Sequence, residues 1–386
     1  MRGINEHAIS LLNYYIGLID VEPDEFAKMD HKIRQILIHH GIHLQPSCKE
    51  RLYLNRQELG RGLACVEHKA EMMILNLKMK FEATKMIWKR REAILAVQHK
   101  AGTYFATIEK YLKTKYSLEA VNADHLLGVQ KQILNNEISN KTLHKKLFKS
   151  VQHDGVSIKE SSKWLSKGNN QAIHEAKLCF LQDRNIFFNE GGMCPHCNKA
   201  RKTVDHMATR CEKMLGHDYM RRHNAIVKCI HLLLCNKHNI AIRNKKLRGH
   251  SVQQIVANKY VEIRVDTTIK TDVKIRYNKP GILLIDKIKK ELLIVEIGVT
   301  SLDNLQQVES EKFMKYDELA NELGLIHGCK TKIIPYVITW DGIVSKYHSK
   351  HKKNLVSLTE LRHTFSLQLS KRLLRAFQWS TGEERG

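Results

Sequence analysis

Apolar residues recur three and four positions apart through much of residues 1–150, the period of helices that bury one face. The pattern is clear in Ala8-Ile-Ser-Leu-Leu12 and in Met29-Asp-His-Lys-Ile-Arg-Gln-Ile-Leu37. Gly41-Ile-His-Leu-Gln-Pro46 breaks it, and Arg51-Leu-Tyr-Leu54 leads into Leu59-Gly-Arg-Gly-Leu63, whose two glycines predict a tight loop against a partner or backbone. Residues 66–99 predict one long basic amphipathic helix, and residues 135–140 a polar connector. Helix returns over 155–190, with Trp164-Leu165 ahead of Lys167-Gly-Asn-Asn170, and again over about 219–237. From Val256 the period falls to two. Residues 261–265, 282–285, 292–299 and 332–339 predict strands, with a helix over 308–323 and a closing basic helix over about 357–377. There is no internal repeat, and only five prolines interrupt the chain.

Charge changes this picture. The 386 residues include 64 Lys and Arg against 40 Asp and Glu, a formal net charge of +24. Solvated basic faces are the plain reading. A polyanion partner explains more, because each neutralised phosphate releases counterions. The basic clusters at 85–91, 141–149, 243–248, 346–353 and 371–375 form a long track, which suits nucleic acid better than one membrane-facing patch. Arg61, Lys85, Lys89, Arg90, Arg91, Arg221, Arg222, Lys245 and Lys246 are the candidate phosphate contacts, with ordinary turn chemistry the alternative for Arg61 between its two glycines. No signal peptide or transmembrane run is evident, since the apolar patch of 9–19 contains Asn13 and stops at Asp20. Most of the nine cysteines are scattered among apolar residues, so a reducing compartment, nuclear or cytoplasmic, is expected and secretion is not.

Three of those cysteines carry specific chemistry. Cys194, Cys197, His206 and Cys211 give C-x2-C-x8-H-x4-C, an order and spacing suited to a closed tetrahedral Zn²⁺ shell of three thiolates and one imidazole. His196 or His217 could stand in for His206, and a cluster of unliganded core cysteines is the other alternative. A closed shell leaves no open position, so the expected role is structural. His231 and Cys235 share a helical face, with His238 a turn on, and read as buried core rather than as a second metal site. Trp88 and Trp164 read as core, with base stacking the alternative.

In combination these motifs resemble the C-terminal half of the polyprotein of non-LTR retrotransposons that carry a restriction-like endonuclease. Ile4-Asn-Glu-His-Ala-Ile9, Met29-Asp-His-Lys-Ile-Arg34 and the stretch from Arg51 to Leu63 look like the family's thumb and linker, although Asn55 stands where a proline is usual. The cysteine motif with Val204-Asp-His206, then Arg221-Arg-His-Asn224, follows in the family's order. The nuclease segment runs from Thr271-Asp-Val-Lys-Ile-Arg-Tyr-Asn-Lys-Pro280 to Glu311-Lys-Phe-Met-Lys-Tyr316. The resemblance implies a multidomain α plus α/β chain. Residues 1–150 would be a helical thumb/linker region, and 151–250 a helical linker containing the CCHC zinc knuckle at 193–212. Residues 251–386 would be a degenerate restriction-endonuclease-like, PD-(D/E)xK mixed sheet with flanking helices. Its partners would be DNA or RNA, together with a separate or upstream reverse transcriptase region. The chain has no tandem-aspartate palm signature, so it is not expected to polymerise DNA by itself.

Nucleases of this type use two acids on neighbouring strands to hold Mg²⁺, and a lysine to orient the nucleophile or offset charge on the scissile phosphate. The family's first acid directly follows the proline of Lys-Pro-Asp; here that position is Gly281. The second acid maps to Glu296, Gly298 stands where a neighbouring lysine would be, and Lys312 or Lys315 on the next helix is the candidate lysine. Asp286 lies an odd number of strand positions from 281 and is expected to face away; Asp272 is a geometric alternative. The expected function is nucleic-acid binding with impaired cleavage. Two alternatives stand beside it, an active Mg²⁺-dependent nicking enzyme with a substitute acid, and a recruited non-enzymatic DNA- or RNA-binding protein.

Overall fold

A computed structural model describes residues 1–17, 19, 21–83, 89, 92–93, 96, 103–151, 154–167, 170–186 and 192–355. The chain divides into two compact units, residues 1–148 with 175–183, and residues 149–174 with 184–386. The first boundary falls near the expected 150, whereas no boundary falls at 250. The helix Met220–Lys237 packs on the strand Glu291–Thr300, and the cysteine motif and the sheet share one unit.

The first unit is helical. Its main helices are Pro23–His39, Val66–Ala83, Tyr104–Tyr116 and Ala123–Asn140, around a core that includes Phe26, Leu37, Val66, Leu75, Ile108, Leu112 and Leu126. Local chemistry sets their starts. Pro23 opens its helix with Asp24 and Glu25 in the first turn, and Thr103 and Asn122 accept from the N–H groups of Ala106 and His125. Buried Asp30 accepts from the Val66 and Glu67 N–H groups at 3.0 Å, so one helix caps the next. The expected connector at 135–140 is instead the last turns of the fourth helix, because Ile138 is fully buried and holds the segment down. The predicted helix of 66–99 starts at Val66 and is described to Ala83; Lys85, Trp88, Arg90 and Arg91 lie outside the described residues.

The glycine loop is tight because of backbone. A Cβ at Gly60 would meet the Leu54 carbonyl oxygen at 2.0 Å, and Gly62 has φ +68°. Arg61 between them points inward, which overturns its assignment as a phosphate contact. It is 2% exposed, pairs with Glu175 at 3.0 Å and donates to the Ile42 carbonyl. Arg56 binds the same carboxylate at 2.6 Å, and Arg51 donates to Asp183 and Gln182, each at 2.6 Å. These pairs tie residues 175–183 into the first unit.

The second unit carries a five-stranded mixed sheet ordered β1 (Ile255–Ala257), β2 (Val261–Val265), β3 (Ile282–Asp286), β4 (Glu291–Thr300) and β5 (Lys330–Thr339). Pairing is antiparallel from β1 to β4 and parallel between β4 and β5. β4 is buried along almost its whole length, the condition of a strand covered on both faces. The single helix predicted over 308–323 is two, Leu305–Met314 and Asp317–His327. Tyr316 sits at the break, 1% exposed, with its hydroxyl donating to the Lys279 carbonyl at 2.8 Å. Asp317 and Glu318 then occupy the first turn of the second helix, where negative charge is favoured. The predicted closing helix over 357–377 and the cluster at 371–375 lie outside the described residues.

Candidate functional site

The four metal-ligand candidates converge. One ligand atom from each of Cys194, Cys197, His206 and Cys211 lies within 4.8 Å of the other three. Cys194 Sγ and Cys211 Sγ are 3.8 Å apart, and Cys197 Sγ and His206 Nε2 are 3.2 Å apart. Four bonds of Zn–S length at tetrahedral angles place sulfurs about 3.8 Å apart, so the cage fits an ion such as zinc. A tight turn builds its first half: the Cys194 N–H donates to the Ala200 carbonyl at 2.7 Å, the Asn198 N–H to the Cys194 carbonyl at 2.9 Å, and Asn198 has φ +53°. The Lys199 N–H donates to Cys197 Sγ at 3.5 Å and draws that thiol down to about 7. In the second half, Thr203 caps the short helix Val204–Thr209 by accepting from the His206 N–H. His196 and His217, the alternative ligands, are both exposed and outside the cage.

The helix bearing His206 is anchored on several sides. Asp205 accepts from Asn185 Nδ2 at 2.9 Å and from the Trp340 indole N–H just past β5, while its own N–H donates to Asn185 Oδ1 at 2.8 Å. Arg210 reaches Ser301 Oγ, at the end of β4, at 3.4 Å. Arg222, expected as a nucleic-acid contact, is 4% exposed and donates to the Ala208 carbonyl at 2.6 Å. That assignment is corrected: the guanidinium joins the helix after the cage to the helix within it. Sequence reading missed Asp205 and Trp340, which are 135 positions apart.

The carboxylate–lysine site lies on the β3–β4 pair. The Gly281 N–H donates to Glu296 Oε2 at 3.3 Å, so position 281 adjoins the Glu296 carboxylate. Lys312 Nζ and Lys315 Nζ both donate to Glu296 Oε1, at 2.7 and 3.1 Å. The break after Met314 lets Lys315 and the inward Tyr316 follow Lys312 around this carboxylate. Burial raises the Glu296 carboxyl, but the two ammonium groups outweigh it and hold the group below its ordinary range. Asp286 does face away, at the far end of β3 opposite Glu291, where it accepts from the Ile288 and Lys289 N–H groups and closes the turn. Asp272 is exposed between β2 and β3. Asp266, whose N–H donates to the Gly281 carbonyl at 3.2 Å, also adjoins the site, but Glu296 is already matched by two ammonium groups, and that set does not fit Mg²⁺, which requires oxygen ligands and repels neighbouring cations.

The other sequence candidates separate. Lys89, Lys245 and Lys246 are exposed, and Arg221 is at the surface, 2.7 Å from Asp218. Trp164 is buried, as the core reading expected. His231 is fully buried beside Cys235, and its Nδ1 lies 2.8 Å from Nε2 of His250, a partner that sequence spacing did not reveal. Among the described residues no helix is long and apolar enough to cross a membrane. No family model matches this chain, and no curated protein matches it.

Proposed function

We propose that this chain is a nucleic-acid-binding protein derived from a non-LTR retrotransposon, with a restriction-endonuclease-like domain that has lost most or all cleavage. The observation that carries the reading is Gly281 against the Glu296 carboxylate, with Lys312 and Lys315 on that acid. In this reading Glu296 is the second acid, Lys312 and Lys315 beside it are the candidate lysines, and Gly281 occupies the position of the first acid. A thousandfold loss of rate corresponds to only about 4 kcal/mol of transition-state stabilisation, so one missing carboxylate suffices. The Cys/His cage holds a structural Zn²⁺ and fixes the Val204–Thr209 helix on the sheet, and the formal charge of +24 supplies affinity for DNA or RNA. The thumb/linker role of the first unit, and cooperation with a separate or upstream reverse transcriptase region, belong to the same proposal.

A labelled DNA duplex tests it. With Mg²⁺ present the protein should retard the duplex, lose grip as salt rises, and leave the strands full length. Failure to bind any duplex or RNA at low salt would end the nucleic-acid reading. Cleavage that disappears in Glu296→Ala would end the claim of impairment.

A further inference from the structure

We propose that the defective nuclease corner has become a metal-independent site for a phosphodiester group of nucleic acid, built from Lys312, Lys315 and Arg276 beside the exposed ring of Tyr277. The inference rests on the nucleic-acid reading above and adds to it a ligand chemistry and a reversed role for Glu296.

A working cation site needs excess carboxylate, but here two ammonium groups share one oxygen of one acid, at 2.7 and 3.1 Å. Each ammonium has three donors and the carboxylate takes one from each, so donors remain on both nitrogens. The lysine side chains are 24% and 30% exposed, within reach of a ligand yet partly shielded from water. The loop between β2 and β3 adds more positive charge. Among the described residues Lys270, Lys274, Arg276 and Lys279 form no ion pair, and Asp266 and Asp272 are the loop's acids. Asp266 adjoins the site near Tyr316, and Glu311 on the lysine-bearing helix is engaged by Gln307 at 2.8 Å.

Tyr277 gives the patch a second character. The Arg276 guanidinium lies 5.1 Å and the Lys315 ammonium 5.4 Å from its ring centroid, and the residue is 39% exposed. Phe313 and Met314, 45% and 66% exposed, lie on the same helix as Lys312, just before Lys315 at its C-cap. Cations interleaved with an accessible aromatic ring suit a phosphate flanked by a base, since the backbone meets the charges and the base meets the ring. Glu296 then acts as a restraint that occupies both ammonium groups until phosphate competes.

The test is fluorescence anisotropy with a labelled DNA duplex, using metal-loaded protein in buffer stripped of free divalent cations by chelating resin. Each phosphate contact contributes a slope of about 0.9 in log K against log salt. Lys312→Gln/Lys315→Gln should weaken binding roughly three- to tenfold and flatten the slope by about 0.9. Glu296→Gln keeps the shape, frees an ammonium, and should tighten binding by a similar factor while steepening the slope. Tyr277→Leu should weaken binding with the slope unchanged. Melting temperatures near wild type establish that the variants fold; if Glu296→Gln does not, the lysine pair and Tyr277→Leu still decide. Unchanged affinity and slope in the lysine pair, or weaker binding by a folded Glu296→Gln, would overturn this site and leave the wider nucleic-acid reading standing. Absence of binding by the wild type would remove both.

Discussion

Placing a carboxylate beside Glu296 with Gly281→Asp should create a divalent-cation site. A Cβ at position 281 would lie 3.5 Å from Glu296 Oε2, 3.3 Å from the Val295 carbonyl oxygen and 3.4 Å from Ile297 Cδ1. The space is tight but needs a shift of only a few tenths of an ångström. The new carboxylate would then sit about 4 Å from the old one, where like charges at an effective dielectric of 20 repel by about 4 kcal/mol. Lys312 and Lys315 offset much of that, so a net cost of about 1–3 kcal/mol is expected without metal, or roughly 2–12 °C in melting temperature for a unit of this size. Mg²⁺ at about a hundred times its dissociation constant returns about 2.7 kcal/mol. The assay is a pair of thermal melts, with and without Mg²⁺, on wild type and variant. The variant should melt below wild type in stripped buffer and recover several degrees in Mg²⁺, while the wild type responds little. Equal stabilisation of the wild type by Mg²⁺ would mean that another acid already serves the corner, and the reasoning would fail.

Other outcomes follow from the same contacts. The purified protein should contain one zinc per chain, and Cys194→Ser or Cys211→Ser should lose it and lower the melting temperature; metal analysis showing full occupancy in either variant would contradict the cage. Arg51→Ala strands the Asp183 carboxylate, 1% exposed, and should cost about 3–5 kcal/mol in denaturant unfolding, whereas Arg51→Met with Asp183→Leu should recover much of it. A loss below about 1 kcal/mol would deny that these pairs hold residues 175–183. Burial first, and then the neighbouring His250, lowers His231 to about 4 from an ordinary 6.5. The unfolded chain therefore takes up this proton before the folded one, so stability is full above pH 6.5 and declines as pH falls toward 4. His231→Gln should lessen the fall in melting temperature across that window, and an unchanged fall would remove the buried histidine as its cause.

Much of the candidate chemistry was legible because it is local in sequence. The spacing of Cys194, Cys197, His206 and Cys211 specifies one turn and one capped helix, and those four groups do meet. The odd separation of Asp286 from 281 correctly turned it from the site, and strand alternation located four of the five strands. What was not legible depends on distant partners. Arg61 and Arg222 read as surface cations because nothing nearby in sequence announces Glu175 or the Ala208 carbonyl. Asn135–Asn140 is polar enough for a loop, yet Ile138 fixes it as helix. The break at Lys315–Tyr316 does carry a local signal, the Asp317-Glu318 pair that favours a new helix start. No such signal marked Asp205 and Trp340, whose hydrogen bond anchors the cysteine motif on the sheet.

The central claim is that one absent carboxylate separates nucleic-acid binding from cleavage in this chain. Supercoiled plasmid incubated with the purified protein and Mg²⁺ or Mn²⁺ tests it most directly, with wild type, Glu296→Ala and Gly281→Asp run side by side. The account predicts a supercoiled band that persists with wild type and Glu296→Ala, and open circles that accumulate with Gly281→Asp. Open circles formed by wild type, lost in Glu296→Ala and little changed in Gly281→Asp, would contradict it.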